Sequence, residues 1–121
     1  MRILITGSRH EHDPKPVWDA INEHFTGVYS DAVIVHGACP YGGVDESAAR
    51  WARYVGATEE AHPADWGRHG KSAGPKRNQT MVDRGADICL AFPGPSSRGT
   101  WDCMKRARAA GIPVQVVFVD K

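Results

Sequence analysis

Ile3-Leu4-Ile5-Thr6-Gly7-Ser8-Arg9 decides how this chain is read, because an apolar run without alternation leads straight into a glycine, a hydroxyl and a guanidinium. Unbroken apolar runs are what strands covered on both faces require, whereas a sheet with one wet face alternates polar and apolar residues. Similar runs recur at residues 32–36, 57–62, 88–92 and 114–119. Thr58-Glu59-Glu60 interrupts the third, which predicts an edge strand. Helical spacing fills the intervals. Val17, Ile21, Phe25 and Val28 fall on one stripe, and Val44, Ala48, Trp51 and Val55 on another. A third helix is expected to start near Pro75, carry Arg77 and Met81 one turn apart, and stop at Gly85. The fourth is expected over 100–110, capped by Thr100, with Cys103, Met104, Ala107 and Ala110 inward and Gly111 ending it. Strands and helices alternate throughout. With right-handed crossovers this order gives a three-layer, Rossmann-like α/β fold on a doubly wound, five-stranded parallel sheet, with residues 1–121 as one domain.

Composition narrows the setting. Fifteen Lys and Arg stand against fourteen Asp and Glu, a formal charge of +1, so the whole chain has no strong field to steer a polyanion. That counts against nucleic acid as a partner. Cys39, Cys89 and Cys103 are odd in number and include no CxxC pair, which argues against a disulfide framework or a structural zinc site. A reducing, cytoplasmic compartment is expected, with no secretory leader. No stretch approaches the roughly 20 apolar residues of a membrane helix. The edge strand and the Trp-bearing helices leave a homodimer open.

Ligands of open parallel sheets bind beyond the carboxyl ends of the strands, so the residues after each strand carry the functional argument. Gly7-Ser8-Arg9 follows the first, His36-Gly37-Ala38 the second, and Pro93-Gly94-Pro95-Ser96-Ser97-Arg98-Gly99-Thr100 the fourth. Glycines let backbone N–H groups approach a phosphate, and hydroxyls donate to its oxygens. Taken singly, each is also ordinary turn punctuation. None is a GxGxxG or GxxxxGK[ST], which lowers NAD oxidoreduction and ATP hydrolysis. Residues 63–74 read as a polar, Gly-rich loop, and Arg68, Lys71, Lys76 and Arg77 make the stretch basic. Lys76 and Arg77 in a first helical turn would oppose the helix dipole unless an anion arrives; the alternative is a solvated basic loop. His36 and Cys39 have metal-ligand spacing but no second pair nearby, so no metal or cofactor is expected. Trp66 and Trp101 are either stacking platforms for a base or packing groups. Cys89 reads as inert core.

Those same segments, Thr6-Gly7-Ser8-Arg9, Val35-His36-Gly37-Ala38, Asp65-Trp66 through Arg77-Asn78 with Met81, Ala86-Asp87 through Phe92-Pro93-Gly94, and Arg98-Gly99-Thr100 with Gly111-Ile112-Pro113-Val114, resemble the YspA/YpsA-related branch of the SLOG superfamily. The resemblance spans nearly the whole chain. It implies a Rossmann-like protein that binds a nucleotide-derived ligand, as sensor or binder at least as readily as enzyme. Related proteins often continue the second loop as Gly-Gly-Ala-Arg-Gly-Ala-Asp, where this chain reads Gly37-Ala38-Cys39-Pro40-Tyr41-Gly42-Gly43-Val44-Asp45. Asp45 keeps the acidic position and is equally suited to cap the second helix. A more distant similarity reaches the LOG-type phosphoribohydrolases, whose Arg-Lys-x-x-Met and Pro-Gly-Gly-x-Gly-Thr-x-Glu-Glu motifs are similar to Arg77 through Met81 and Pro93 through Asp102. It implies Arg77 and Asp102 as catalytic candidates, although Asp102-Cys103 stands where that family has paired glutamates. Asp102 can also simply favour a helix N-terminus.

The expected ligand is thus a phosphate-bearing nucleotide derivative held by Gly7, Ser8, Arg9, His36, Gly37, Ala38, Asp45, Arg77, Asn78, Pro93, Gly94, Arg98, Gly99 and Thr100. Two alternatives remain: cleavage of an N-glycosidic bond, and a non-catalytic interaction or single-stranded nucleic-acid-binding module.

Overall fold

Each apolar run becomes a strand: β1 (Arg2–Gly7), β2 (Val33–His36), β3 (Thr58–Ala61), β4 (Ile88–Phe92) and β5 (Val114–Val116). In the computed structural model, which describes residues 1–95 and 97–118, all five pair in parallel in the order β3-β2-β1-β4-β5. From β1 the chain steps outward to β2 and β3, then returns across the sheet to β4 and steps the other way to β5. Right-handed connections therefore put α1 (Pro14–His24) and α2 (Gly43–Val55) on one face, and α4 (Ala73–Asp83) and α5 (Arg98–Ala109) on the other. Three layers of a doubly wound, Rossmann-like α/β fold result.

The two cores follow from the continuous strands, whose side chains point alternately to the two faces. Ile3, Ile5, Ile34 and Leu90 pack against Val17 and Ile21 of α1 and Val44, Ala48 and Trp51 of α2. Leu4, Val35 and Cys89 pack against Met81 and Val82 of α4 and Cys103 and Ala107 of α5. Each fully buried aliphatic side chain contributes roughly 1.5–3 kcal/mol. At the β3 edge, Glu59 bonds His36 and Arg53, while Glu60 bonds Arg2, His62 and Arg84. Among the described residues no helix is long and apolar enough to cross a membrane.

Several expected boundaries move. Phe25 caps α1 in an extended conformation and Gly27 follows at φ +125°, so Val28 leaves the helical stripe and is 64% exposed. The expected loop at 63–74 is largely folded: Asp65 accepts a bond from the Arg68 N–H at 3.1 Å and caps a short helix, α3 (Trp66–His69). A 3₁₀ turn (Gly70–Ser72) then leads into α4, which starts two residues before Pro75 and ends at Asp83, just ahead of Gly85. Arg77 consequently stands past the first turn. Helix α5 starts at Arg98 from Ser97, so Thr100 lies buried inside the helix and caps nothing. Ala110 ends that helix exposed rather than facing inward. Strand β5 stops at Val116, although the Val117 N–H still donates to Ala91. Ser96 and Val119 lie outside the described residues.

Candidate functional site

The order of strands reverses between β1 and β4, and crevices at such a switch point are where open α/β sheets bind ligands. Gly7 and Phe92 are register partners there, and the Ser8 N–H donates to the Phe92 carbonyl at 3.0 Å. Beyond them the loops touch. A Cβ on Gly94 would meet the Ser8 Oγ at 2.8 Å, and the Ser97 Oγ accepts from the Gly94 N–H at 2.7 Å, closing the turn after Pro93. The Ser8 carbonyl accepts from the Val44 N–H at 3.1 Å. Since Gly42, the residue before α2, has no side chain to cap it, the β1–α1 loop supplies that cap through its main chain. Gly7 packs on Val44, and the Ser8 Oγ accepts from the His10 N–H.

The second strand end is built around three side chains. The His36 Nδ1 accepts from the Ala38 N–H at 2.9 Å, so the ring proton stands on Nε2, which faces Glu59 at 2.7 Å. Ala38 takes φ +50°, and a Cys39–Gly42 turn with Pro40 and Tyr41 at its centre follows. Asp45 is the third residue of α2, not its cap; its Oδ2 accepts from the Cys39 N–H at 3.2 Å, folding the loop back over the helix. Burial pushes the Asp45 carboxyl up, and the charge of Arg77 with the N–H groups of Cys39 and Gly37 pulls the other way. The Arg77 guanidinium donates to the carbonyls of Gly37 and His62, spanning the ends of β2 and β3. It lies so close that a Cβ on Gly37 would fall 2.7 Å from its Cζ.

Asn78 links this cluster to α5. Its Oδ1 accepts from the Arg77 Nε at 2.9 Å, and its Nδ2 donates to the Gly99 carbonyl at 3.1 Å and the Asp102 Oδ2 at 3.0 Å. Arg106 donates to the same Asp102 oxygen at 2.9 Å. Burial resists ionisation of Asp102, but the bonds from Arg106 and Asn78 outweigh it and hold the carboxyl below its usual range. Arg77 and Asp102 are joined through Asn78 rather than in contact.

The loops after β1, β2 and β4 therefore converge, with Gly7, Ser8 and Gly94 at the switch point, His36, Gly37, Ala38, Asp45 and Arg77 beside them, and Asn78, Gly99, Thr100 and Asp102 toward α4 and α5. Pro93 is half-buried and Arg98 exposed. Arg9 lies with its Cζ 5.0 Å from the centre of the Tyr41 ring. Sequence reasoning missed Glu59, His62 and Tyr41 as partners of these residues, since each comes from a different loop or strand, and left Ser97 out of the ligand candidates although it lies in the quoted loop after β4; the charged Glu59 in an edge strand was the one available signal for the others. One surface concavity, of about 410 Å³, lies between α4 and α5 with Gln79, Asp102, Lys105 and Arg106 in its wall. Another, of about 110 Å³, is lined by His12, Gly43, Glu46, Ser47 and Arg50. Among the described residues no group of three His, Cys, Asp or Glu side chains is placed to hold a metal.

Comparison with known proteins agrees with this architecture. The model of the YspA, cpYpsA-related SLOG family matches residues 1–69, which hold β1 through α3 and the first two strand-end loops. The gene 61 protein of Mycobacterium phage D29 is 49% identical over 125 aligned positions, covering 99% of this chain and 98% of that protein. No solved structure matches at a significant level. The chain belongs to the YspA, cpYpsA-related SLOG family.

Proposed function

We propose that the protein binds a phosphate-bearing nucleotide derivative at the carboxyl ends of β1, β2 and β4, as a sensor or binder. The observation that carries this reading is the meeting of three strand-end loops, distant in sequence, at the point where the strand order reverses. Family membership supports the same class of ligand. Phosphate oxygens would lie against Ser8, Gly94 and the exposed Arg98 at the start of α5, where the helix dipole favours negative charge. Base and ribose would lie toward Gly37, Ala38 and Asp45. A thermal-shift panel of ADP-ribose, cyclic nucleotides and NAD tests it, because a ligand at about 100 times its Kd stabilises by about 2.7 kcal/mol. One compound is expected to raise the midpoint, with a smaller rise in Arg98→Ala. No shift with any of them would overturn the reading.

A second reading, release of a free base from a nucleoside monophosphate by water, is favoured by the Arg77–Asn78–Asp102 chain, which ties a cation and an ionised carboxylate into one unit. Asp102 would stabilise oxocarbenium character at the ribose while Arg77 steadies the phosphate. Chromatography of such mixtures for free base tests it. An unchanged rate in Asp102→Asn would remove that residue from the chemistry.

A further inference from the structure

The near-neutral total conceals a separation of charge between the two faces of the sheet. Residues 63–110, which supply α3, α4 and α5, carry nine Lys and Arg against four Asp and Glu; residues 8–62, which supply α1 and α2, carry four against nine. On the acidic side the cations are largely spent in pairs, Lys15 with Asp19, Arg50 with Glu46 and Arg53 with Glu59. Helix α5 differs. Arg98, Trp101, Lys105 and Arg108 follow one another at spacings of three, four and three, and all four are exposed. They form one outward stripe, while Thr100, Cys103, Met104 and Ala107 form the buried one. Among the described residues Arg98, Lys105 and Arg108 make no salt bridge.

We propose that this stripe is a track for single-stranded nucleic acid, in which the three cations contact phosphates and Trp101 stacks on a base. The stripe runs about 15 Å along the helix at 1.5 Å per residue, the length of about four stacked nucleotides at 3.4 Å each. A cation row interleaved with one exposed aromatic ring is the combination that strand-binding surfaces use. A lipid surface fits poorly, because an interfacial helix must bury an apolar face and that of α5 is already committed to the core. The track shares Arg98 with the proposed strand-end site, but Trp101, Lys105 and Arg108 lie farther along α5, so the Trp101, Lys105 and Arg108 variants test the track without altering the strand-end loops, and absence of a nucleotide-derivative ligand leaves the track standing.

The test uses the full chain with a fluorescein-labelled oligothymidylate of about 20 nucleotides, followed by anisotropy and by tryptophan emission. Binding is expected at low salt, with quenching of tryptophan and a log–log salt slope of about −2 between about 50 and 200 mM, since each of three neutralised phosphates contributes about 0.7. Lys105→Glu/Arg108→Glu, changed only at exposed positions and checked by circular dichroism, is expected to weaken binding at least about tenfold and flatten the slope to below about 1 in magnitude. Trp101→Ala is expected to weaken it about tenfold and remove the quenching. No anisotropy change at the lowest salt, or equal binding by the charge-reversed variant, overturns the proposal. So does low-salt self-association that the charge reversal abolishes without any binding of the oligonucleotide, which assigns the face to the acidic side of a second copy. Undiminished binding by Trp101→Ala removes the stacking half of the proposal.

Discussion

Replacing Gly43 with alanine probes the contact that holds the first two strand-end loops together. Gly43 has φ +65°, and a Cβ there would fall 2.6 Å from the Arg9 Cα and 2.7 Å from its carbonyl carbon. These are main-chain atoms fixed by the Ser8 bonds to Phe92 and Val44, so they cannot swing aside as a flexible side chain would. A left-handed conformation costs a non-glycine residue about 1–2 kcal/mol, and overpacking adds about 1–3 kcal/mol. The expected loss for Gly43→Ala is therefore about 2–5 kcal/mol. Gly56, at φ +82° with nothing within 4 Å of its Cβ position, is the internal control. Gly56→Ala should lose only the conformational part, about 1–2 kcal/mol. Urea unfolding followed by tryptophan fluorescence measures both as midpoint shifts at constant m. Equal losses at the two positions would refute the close approach of the β1–α1 loop to α2.

Acid sensitivity should centre on Glu60. The Arg2 bond foremost, with those of His62 and Arg84 and against the cost of burial, lowers its carboxyl from 4.5 to about 2. A folded value below the unfolded one means the stabilisation is full above about 4.5 and is lost as pH falls toward 2. Glu60→Gln should thus be less stable than wild type at neutral pH, the gap closing across that window; a gap independent of pH would contradict the linkage. For Asp45 the sign is opposite, because burial raises the folded value, so stability is lost as pH rises through it. Asp45→Asn, which still offers an acceptor to Cys39, should melt at or above wild type near neutral pH and converge with it in acid; calorimetry showing a lower neutral-pH midpoint would mean that the pull of Arg77 prevails. Thiol titration should find Cys39 reactive in the native protein and the fully buried Cys89 and Cys103 reactive only after unfolding; three reactive native thiols would contradict the packing.

The strands were legible because continuous apolar runs such as Ile3-Leu4-Ile5 and Ile88 through Phe92 have few other uses at that length, and their alternation with helical stripes dictates the layers. Glu59 and Glu60 marked the edge for the same reason. Element ends were harder. Val28 keeps the α1 spacing by coincidence, since Thr26-Gly27 has already ended the helix, and α3 was missed because a single turn capped by Asp65 has no periodicity to detect. Topology alone brought the candidate loops to one end of the sheet, but what fills the space around their glycines was not readable: Val44 lies on Gly7, Arg77 on Gly37 and Ser8 on Gly94, each contributed by another segment. The charged stripe of α5 stayed hidden while charge was counted over the whole chain instead of by face.

The paired glutamates of β3 bear on how the molecule behaves in a concentrated solution. A terminal strand presents unpaired amide and carbonyl groups that invite an incoming chain to anneal, the first step toward fibrils. Any chain docking beside Thr58–Ala61 would run alongside two carboxylates already clamped by three arginines and two histidines, and closing over that rim would strip water from all of them. The margin of the sheet is thereby kept wet and uninviting, which guards a small protein of short strands against polymerising through its own backbone.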